Sequence, residues 1–357
     1  MNYYIITYGC QMNKSDSERI ISVLEKMGYK PVKADSSAEA LAKADLIVVN
    51  MCSVRQSAVD RVYGLIPKFE KLKVKNEKLK TILTGCILKE DRPKFAKGFD
   101  QVLKIKDLLK YQPKYQNKSI AFVPISNGCN NFCSYCVVPF VRGPLVCRDP
   151  KEILKEAKNA VKQGFKEIWL LGQNVNSYGI HRETDAKQNA KLTRNKDEVN
   201  FARLLKMVND IPGDFKFFFT SPHPKDFSEE LIDTLANCEK FGKYLNLPVQ
   251  SGDNKILKKM NRNYTVKEYK NLVKNIRRKI PEINLSTDVI VGFPGETEKQ
   301  FENTVKLFKE IKFNIAYFAK YSPRPGTAAW QMKDDVPLTE KKRREKILRE
   351  IIKKQNA

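Results

Sequence analysis

Three cysteines sit together in the stretch Gly128-Cys129-Asn-Asn-Phe-Cys133-Ser-Tyr-Cys136, directly after a strand-like segment. A cubane iron–sulfur cluster has four irons, so three closely spaced thiolates leave one iron open to a ligand that is not protein. Structural zinc normally takes four protein ligands, and two-cluster ferredoxins use a C-x2-C-x2-C-x3-C-P run. Here the next cysteine is Cys147, and Arg148 follows it instead of Pro. The spacing and the missing fourth ligand both argue against simple electron transfer.

Three further cysteines share another context. Cys10 closes ITYGC, Cys52 closes VVNMC and Cys86 closes ILTGC, 42 and 34 residues apart. Each follows a segment that reads as a strand. In a parallel sheet the loops after the strand C-termini gather at one edge, where ligands bind. The three thiols are therefore expected to converge. Gly9 and Gly85 precede two of them, and glycine lets the backbone turn tightly beside a bulky cluster. Three thiolates without a nearby His suit an iron–sulfur cluster better than zinc. The competing reading is that each is a small buried hydrophobe at a strand end. We expect the two cysteine sets to face each other across a domain seam, each leaving a metal corner vacant.

The elements that must place these residues follow from patterning. Residues 3–7, 45–50 and 80–84 read as strands and 15–27 and 57–69 as helices, a β-α-β-α-β order that implies a small parallel sheet covered by helices. Residues 104–120 are polar and Lys-rich and carry Pro113, as a linker would. A second series follows, with strands at 120–126, 167–171, 216–220, 244–249, 285–291 and 316–321 and an amphipathic helix at 151–163. Six such strands suggest a partial (βα)6 TIM-like barrel. The fold class is α/β, with domains at 1–110 and 120–339, a linker at 111–119 and a basic helix at 340–357. Residues 182–200 have no aromatic and almost no apolar residue and read as a mobile surface loop.

Composition sets the limits. The chain has 357 residues, 41% hydrophobic and 10% aromatic, enough for two buried cores and too much for wholesale disorder. Eight cysteines are too few for a disulfide scaffold of this length. No stretch approaches the ~18 consecutive apolar residues of a membrane span, and the N-terminus lacks a basic n-region. A soluble cytoplasmic protein without membrane partners is expected. The net charge of +25 favours a polyanionic partner, nucleic acid first. Of the 66 basic residues only 16 are Arg, so a Lys-rich composition is a plainer source of the same charge.

With both cysteine sets in view, the chain resembles the radical S-adenosylmethionine (SAM) methylthiotransferases. It is most similar to the MiaB-type tRNA-2-methylthio-N6-dimethylallyladenosine synthases. The resemblance rests on TYGCQMNKSDSE (7–18), NMCSVRQSA (50–58), GCNNFCSYCVVPFVRG (128–143), SPHPKDF (221–227), LPVQSGDNKILKKMNRNYT (247–265), STDVIVGFPGET (286–297) and YSPRPGTAA (321–329). It covers nearly the whole chain. Met51 stands where Thr is usual, and Cys147 where the family has Ser. The family pattern continues into a small β-barrel (TRAM) domain that is not seen in this sequence.

The resemblance implies roles. Cys129, Cys133 and Cys136 would hold the radical [4Fe-4S] cluster, and Cys10, Cys52 and Cys86 an auxiliary [4Fe-4S] cluster that presents sulfur. One SAM molecule would methylate that sulfur. A second would yield the radical that takes hydrogen from C2 of isopentenylated adenosine in the tRNA anticodon stem-loop. An electron donor such as flavodoxin or ferredoxin and a sulfur or cluster donor are further implied partners, and a monomer is expected. That C–H bond is not acidic, so a radical is a sensible device. Unstacked loop bases are the usual targets of RNA recognition.

Other residues take supporting roles or none. Gln173 and Asn174 end the second barrel strand and Gln250 and Ser251 the fourth, positions suited to SAM, though a structural turn fits as well. Arg142, with Arg55 and Arg148, lies beside cluster cysteines and suits the SAM carboxylate or RNA phosphate. The Gly292–Glu296 turn allows close backbone approach to a ligand, or is a plain strand-to-helix turn. Asp16 and Glu18 are expected to cap the first helix. His223 is left out of catalysis, Cys238 reads as core, and Cys147 is expected to be no cluster ligand. No catalytic residue beyond the clusters is assigned. Three rivals remain: a methylthiotransferase for threonylcarbamoyladenosine tRNA or a ribosomal protein, a non-catalytic iron–sulfur carrier, and an RNA-binding protein with structural zinc.

Overall fold

The computed structural model describes residues 1–54, 56–105, 108–179 and 199–356. Arg55 and most of the 182–200 segment lie outside the described residues. The chain divides into two compact units, the first made of residues 1–118, 136–144 and 324–326, the second of 119–135, 145–323 and 327–357.

The first unit is built on five parallel strands: β1 (Asn2–Tyr8), β2 (Lys30–Pro31), β3 (Leu46–Cys52), β4 (Lys80–Cys86) and β5 (Gln101–Val102), in the order β2-β1-β3-β4-β5. β3 is central and buried along its whole length, as its unbroken apolar run demands of a strand covered on both faces. Its residues alternate. Leu46 and Val48 pack with Ile21 and Leu24 of helix α1 (Gln11–Lys26), whereas Ile47, Val49 and Met51 join Val59, Phe69, Phe95 and Phe99 on the other face. The edge strands have two residues each, which limits pairing with other chains. The expected linker does not hang free. Lys114 N–H donates to the Glu18 carbonyl, Gln116 N–H donates to the Glu18 carboxylate and Lys114 pairs with Glu25, so this stretch lies along α1.

The second unit carries six parallel strands: β6 (Ile120–Pro124), and after the small hairpin of β7 (Ser126–Asn127) and β8 (Val146–Cys147), β9 (Glu167–Leu171), β10 (Lys216–Phe219), β11 (Tyr244–Asn246), β12 (Asn284–Val291) and β13 (Ile315–Lys320). They form two three-stranded ladders, β6-β9-β10 and β11-β12-β13, joined by a bridge between Phe217 and Phe241. The result is the open βα array expected from six strands. Helices begin on clear signals: Thr265 and Thr297 each cap with a reciprocal partner three residues on, Glu268 and Gln300. The basic C-terminal helix Leu338–Gln355 packs on β13, with Lys341 bonded to Asp334 and Arg344 to Glu296, all within this unit. No helix among the described residues is long and apolar enough to cross a membrane.

Candidate iron–sulfur sites

In the first unit the strand-end cysteines come to one edge. Cys52 and Cys86 are register partners at the ends of β3 and β4. Cys10 follows β1 and is the N-cap of α1. Asn13 ties them together. Its Oδ1 accepts from the Cys10 backbone N–H at 3.3 Å and from the Cys10 thiol at 3.5 Å. Its Nδ2 donates to Asn50 Oδ1 and the Met51 carbonyl, both at 3.1 Å, and lies 4.0 Å from Cys86 Sγ. Asn50 returns two bonds, to the Asn13 carbonyl at 2.8 Å and Ser17 Oγ at 2.9 Å. Asn13, Asn50 and Ser17 are buried, so their polar groups satisfy one another instead of water, whereas Cys10 at the end of the network is exposed.

The electrostatics suit thiolate ligands. The Cys52 thiol hydrogen-bonds to Cys86 and is pushed up by that bond and by burial. The same bond, followed by the charge of Arg142, lowers Cys86 to about 7 despite burial. Arg142 Nε stands 3.0 Å from Cys86 Sγ, and its Nη2 is 2.7 Å from Asp16. The α1 N-terminus at Cys10 adds a positive dipole end. An anionic thiolate-bound cluster fits this donor set. Among the described residues no three His, Cys, Asp or Glu gather to hold a single metal ion. Cluster ligands bind different irons and stand farther apart than ligands of one ion.

The CxxxCxxC loop is held from outside by the C-terminal end of the short helix Asn254–Lys259 and the residues just after it. Ser134 N–H donates to the Met260 carbonyl at 3.0 Å and Ser134 Oγ to the Lys259 carbonyl at 2.8 Å. Asn261 Nδ2 donates to the Asn131 and Phe132 carbonyls. Phe132 takes φ +47°, a left-handed conformation unusual for an aromatic residue. Arg262 is buried, donates to the Pro248 carbonyl at 2.7 Å and reaches Cys133 Sγ at 3.7 Å. Cys129 is buried, whereas Cys133 and Cys136 are partly open. Cys136 opens the 136–144 segment, which belongs to the same unit as Cys10, Cys52 and Cys86.

The residues expected near SAM have definite places. Gln173 Oε1 accepts from Gly128 N–H, directly before Cys129, and so braces the loop. Asn174 is buried and donates to Asp226 at 2.8 Å, a partnership within the strand-end turns. Ser251 Oγ accepts from Asp253 N–H at 3.2 Å. Gln250 has φ +68°, and its buried side-chain Oε1 has no hydrogen-bond partner among the described residues. Asn174 Oδ1 is likewise buried without a hydrogen-bond partner among the described residues, so of these four Gln250 alone combines a left-handed backbone with an unused acceptor. Arg148 is committed elsewhere: it pairs with buried Glu156 at 2.9 Å and donates to the Pro124 carbonyl at 2.6 Å. Glu296 folds back on Gly292 N–H at 2.7 Å and on Arg344 at 2.8 Å, so the Gly292–Glu296 stretch is a braced turn. His223 is buried, and its Nδ1 accepts from Lys225 N–H. Cys147 is exposed in the β7–β8 hairpin, and Cys238 is buried, its thiol raised to about 11 by burial.

One expectation is corrected. Asp16 and Glu18 do not cap α1. The helix starts at Gln11, so both lie inside it, and the cap is the reciprocal Cys10–Asn13 pair. Asp16 instead holds Arg142, and Glu18 holds Gln116. Sequence reasoning missed Asn13, Asn50 and Arg262. A signal for the first was present: the polar run NKSDSER opens a helix that must bury one face, and all of it except Lys14 is buried.

Comparison with known proteins agrees with this architecture. Residues 123–308 match the radical SAM superfamily and residues 2–105 the uncharacterized protein family UPF0004. A tRNA-2-methylthio-N(6)-dimethylallyladenosine synthase of Clostridium novyi (strain NT) is 40% identical over 94% of this chain and 77% of its own length. One of Dictyoglomus thermophilum is 39% identical over 99% of this chain and 84% of its own. Among solved structures, the radical SAM methyltransferase TsrM of Kitasatospora setae shares the fold, with TM-score 0.62 and 15% identity over 92% of this chain and 74% of that one. The chain belongs to the radical SAM superfamily and, within it, to the family of tRNA-2-methylthio-N(6)-dimethylallyladenosine synthases.

Proposed function

We propose that this chain transfers a methylthio group to C2 of N6-isopentenyladenosine beside the anticodon of tRNA, by radical SAM chemistry. The observation that carries the reading is the gathering of Cys10, Cys52 and Cys86 at one sheet edge around Asn13 and Arg142, in a chain that also has the CxxxCxxC loop. Cys129, Cys133 and Cys136 would hold the cluster that binds SAM, and Cys10, Cys52 and Cys86 the auxiliary cluster. When bound, the two clusters and SAM supply a methylated sulfur and a carbon radical able to break a non-acidic C–H bond. The chain's own residues do the positioning. Asn13 and Asn50 fix the strand-end cysteines, and Lys259, Asn261 and Arg262 fix the loop. Gln250 offers its free acceptor to the cofactor, with Gln173, Asn174 and Ser251 shaping the turns around it.

The net charge of +25 supports tRNA as the partner, through phosphate attraction. A monomer working in the cytoplasm, with flavodoxin or ferredoxin as electron donor and a separate sulfur or cluster donor, completes the reading. The domain limits that go with it are 1–110, 120–339 and a basic helix at 340–357, joined by 111–119. The test is an anaerobic assay of methylthio product on isopentenylated and on threonylcarbamoylated tRNA. Product on the first supports isopentenyladenosine as the substrate. Product only on the second overturns it.

A further inference from the structure

The charge of Arg142 invites a role in holding the SAM carboxylate, but its placement argues for another. Arg142 is the last residue of the helix Val138–Arg142, six residues after Cys136. Its side chain is 7% exposed and that of Asp16 is 2% exposed. Nε is 3.0 Å from Cys86 Sγ, while Nη2 is 2.7 Å from Asp16 Oδ2. Two nitrogens of the guanidinium are thus spent on one thiol and one carboxylate of the first unit. Moving it to a SAM carboxylate would strand Asp16, a buried charge, without its counter-ion. A rigid planar fork held this way is suited to fix one sulfur in place and to donate to it.

We propose that Arg142 is the positioning residue of the auxiliary cluster, steering Cys86 and steered in turn by Asp16, and that it does not bind SAM. The inference rests on the two-cluster reading above. A cationic donor on a ligand sulfur stabilises the reduced, more negative cluster and raises its reduction potential. Arg142 also anchors the segment that begins at Cys136, so the last cysteine of the SAM loop is covalently close to the auxiliary ligands' own support.

The test uses the full chain as wild type, Arg142→Gln and Arg142→Lys, each reconstituted anaerobically. Iron and sulfide are counted, and each cluster's reduction is titrated by EPR in the absence of SAM. The auxiliary signal is identified by repeating the titration in chains whose Cys129, Cys133 and Cys136 are also changed to alanine, and SAM is added last to check that the CxxxCxxC cluster responds. For Arg142→Gln we expect an intact SAM-responsive signal. The auxiliary cluster should either reduce at least tenfold less favourably, about 59 mV for one electron, or be lost with its four irons. Arg142→Lys should lie between, because it keeps the charge and loses the fork, and it gives the same readings if Arg142→Gln does not fold. Unchanged auxiliary potential and iron content in both variants would overturn the inference, whether or not the SAM response weakens. Wild type holding only about four irons would overturn the two-cluster reading, and this inference with it.

Discussion

Gly85 gives a sharp test of the strand-end geometry. It has φ +111°, and a Cβ built there would lie 2.1 Å from the Met51 carbonyl oxygen and 2.7 Å from Asn50 Oδ1. Ordinary contact begins near 3.4 Å, and the carbonyl is backbone, so β3 and β4 must part by about 1.3 Å or more beside the Cys52–Cys86 pair. Gly28 is an internal control, with φ +87° and nothing within 4 Å of its Cβ position. Gly28→Ala should cost only the backbone term, about 1–2 kcal/mol. Gly85→Ala adds overpacking of about 1–3 kcal/mol, for about 2–5 kcal/mol in all. The assay is iron and sulfide content after anaerobic reconstitution, with the thermal midpoint alongside. Gly28→Ala should hold the wild-type iron content of about eight per chain, and Gly85→Ala about four, those of the CxxxCxxC loop. Gly85→Ala with full iron content and a midpoint equal to that of Gly28→Ala would refute the reasoning.

Further outcomes follow from the same geometry. Arg148→Met breaks a buried pair and should destabilise the second unit by about 3–5 kcal/mol, seen as a lower calorimetric midpoint, while 5′-deoxyadenosine formation per loaded cluster stays unchanged; a raised SAM requirement at full stability would contradict this. Cys147→Ala should keep the whole iron content, because Cys147 is exposed on its hairpin; loss of a cluster would make it a ligand. Affinity for the isopentenylated anticodon stem-loop should fall about a thousandfold between 50 and 200 mM salt if about six phosphates are contacted, and a flat salt response in filter binding would remove phosphate attraction from the account.

Much of the plan was legible because strand-end chemistry is a matter of topology. Once ITYGC, VVNMC and ILTGC are read as parallel strands, their cysteines must share an edge, and Cys52 and Cys86 are indeed in register. The loop cysteines needed only local spacing. What escaped were contacts between residues distant in sequence. Asp16 and Arg142 are 126 residues apart, and nothing local marks a carboxylate in the second turn of a helix as the partner of a remote guanidinium. Arg262 likewise reads as one more basic residue in a Lys-rich chain until its burial beside Cys133 is seen. The capping error has the same root. Cys10 is an unusual N-cap, so patterning alone starts the helix four residues late and gives Asp16 work that the Cys10–Asn13 pair performs.

The central claim is that the methylthio sulfur is delivered from the site of Cys10, Cys52 and Cys86. The most direct measurement is mass spectrometry of nucleosides from isopentenylated anticodon stem-loop RNA, incubated anaerobically with SAM, reductant and either wild type or a chain with those three cysteines changed to alanine. Wild type should yield the 2-methylthio nucleoside. The triple variant should yield none while still releasing 5′-deoxyadenosine. Equal methylthio product from both proteins would contradict the account.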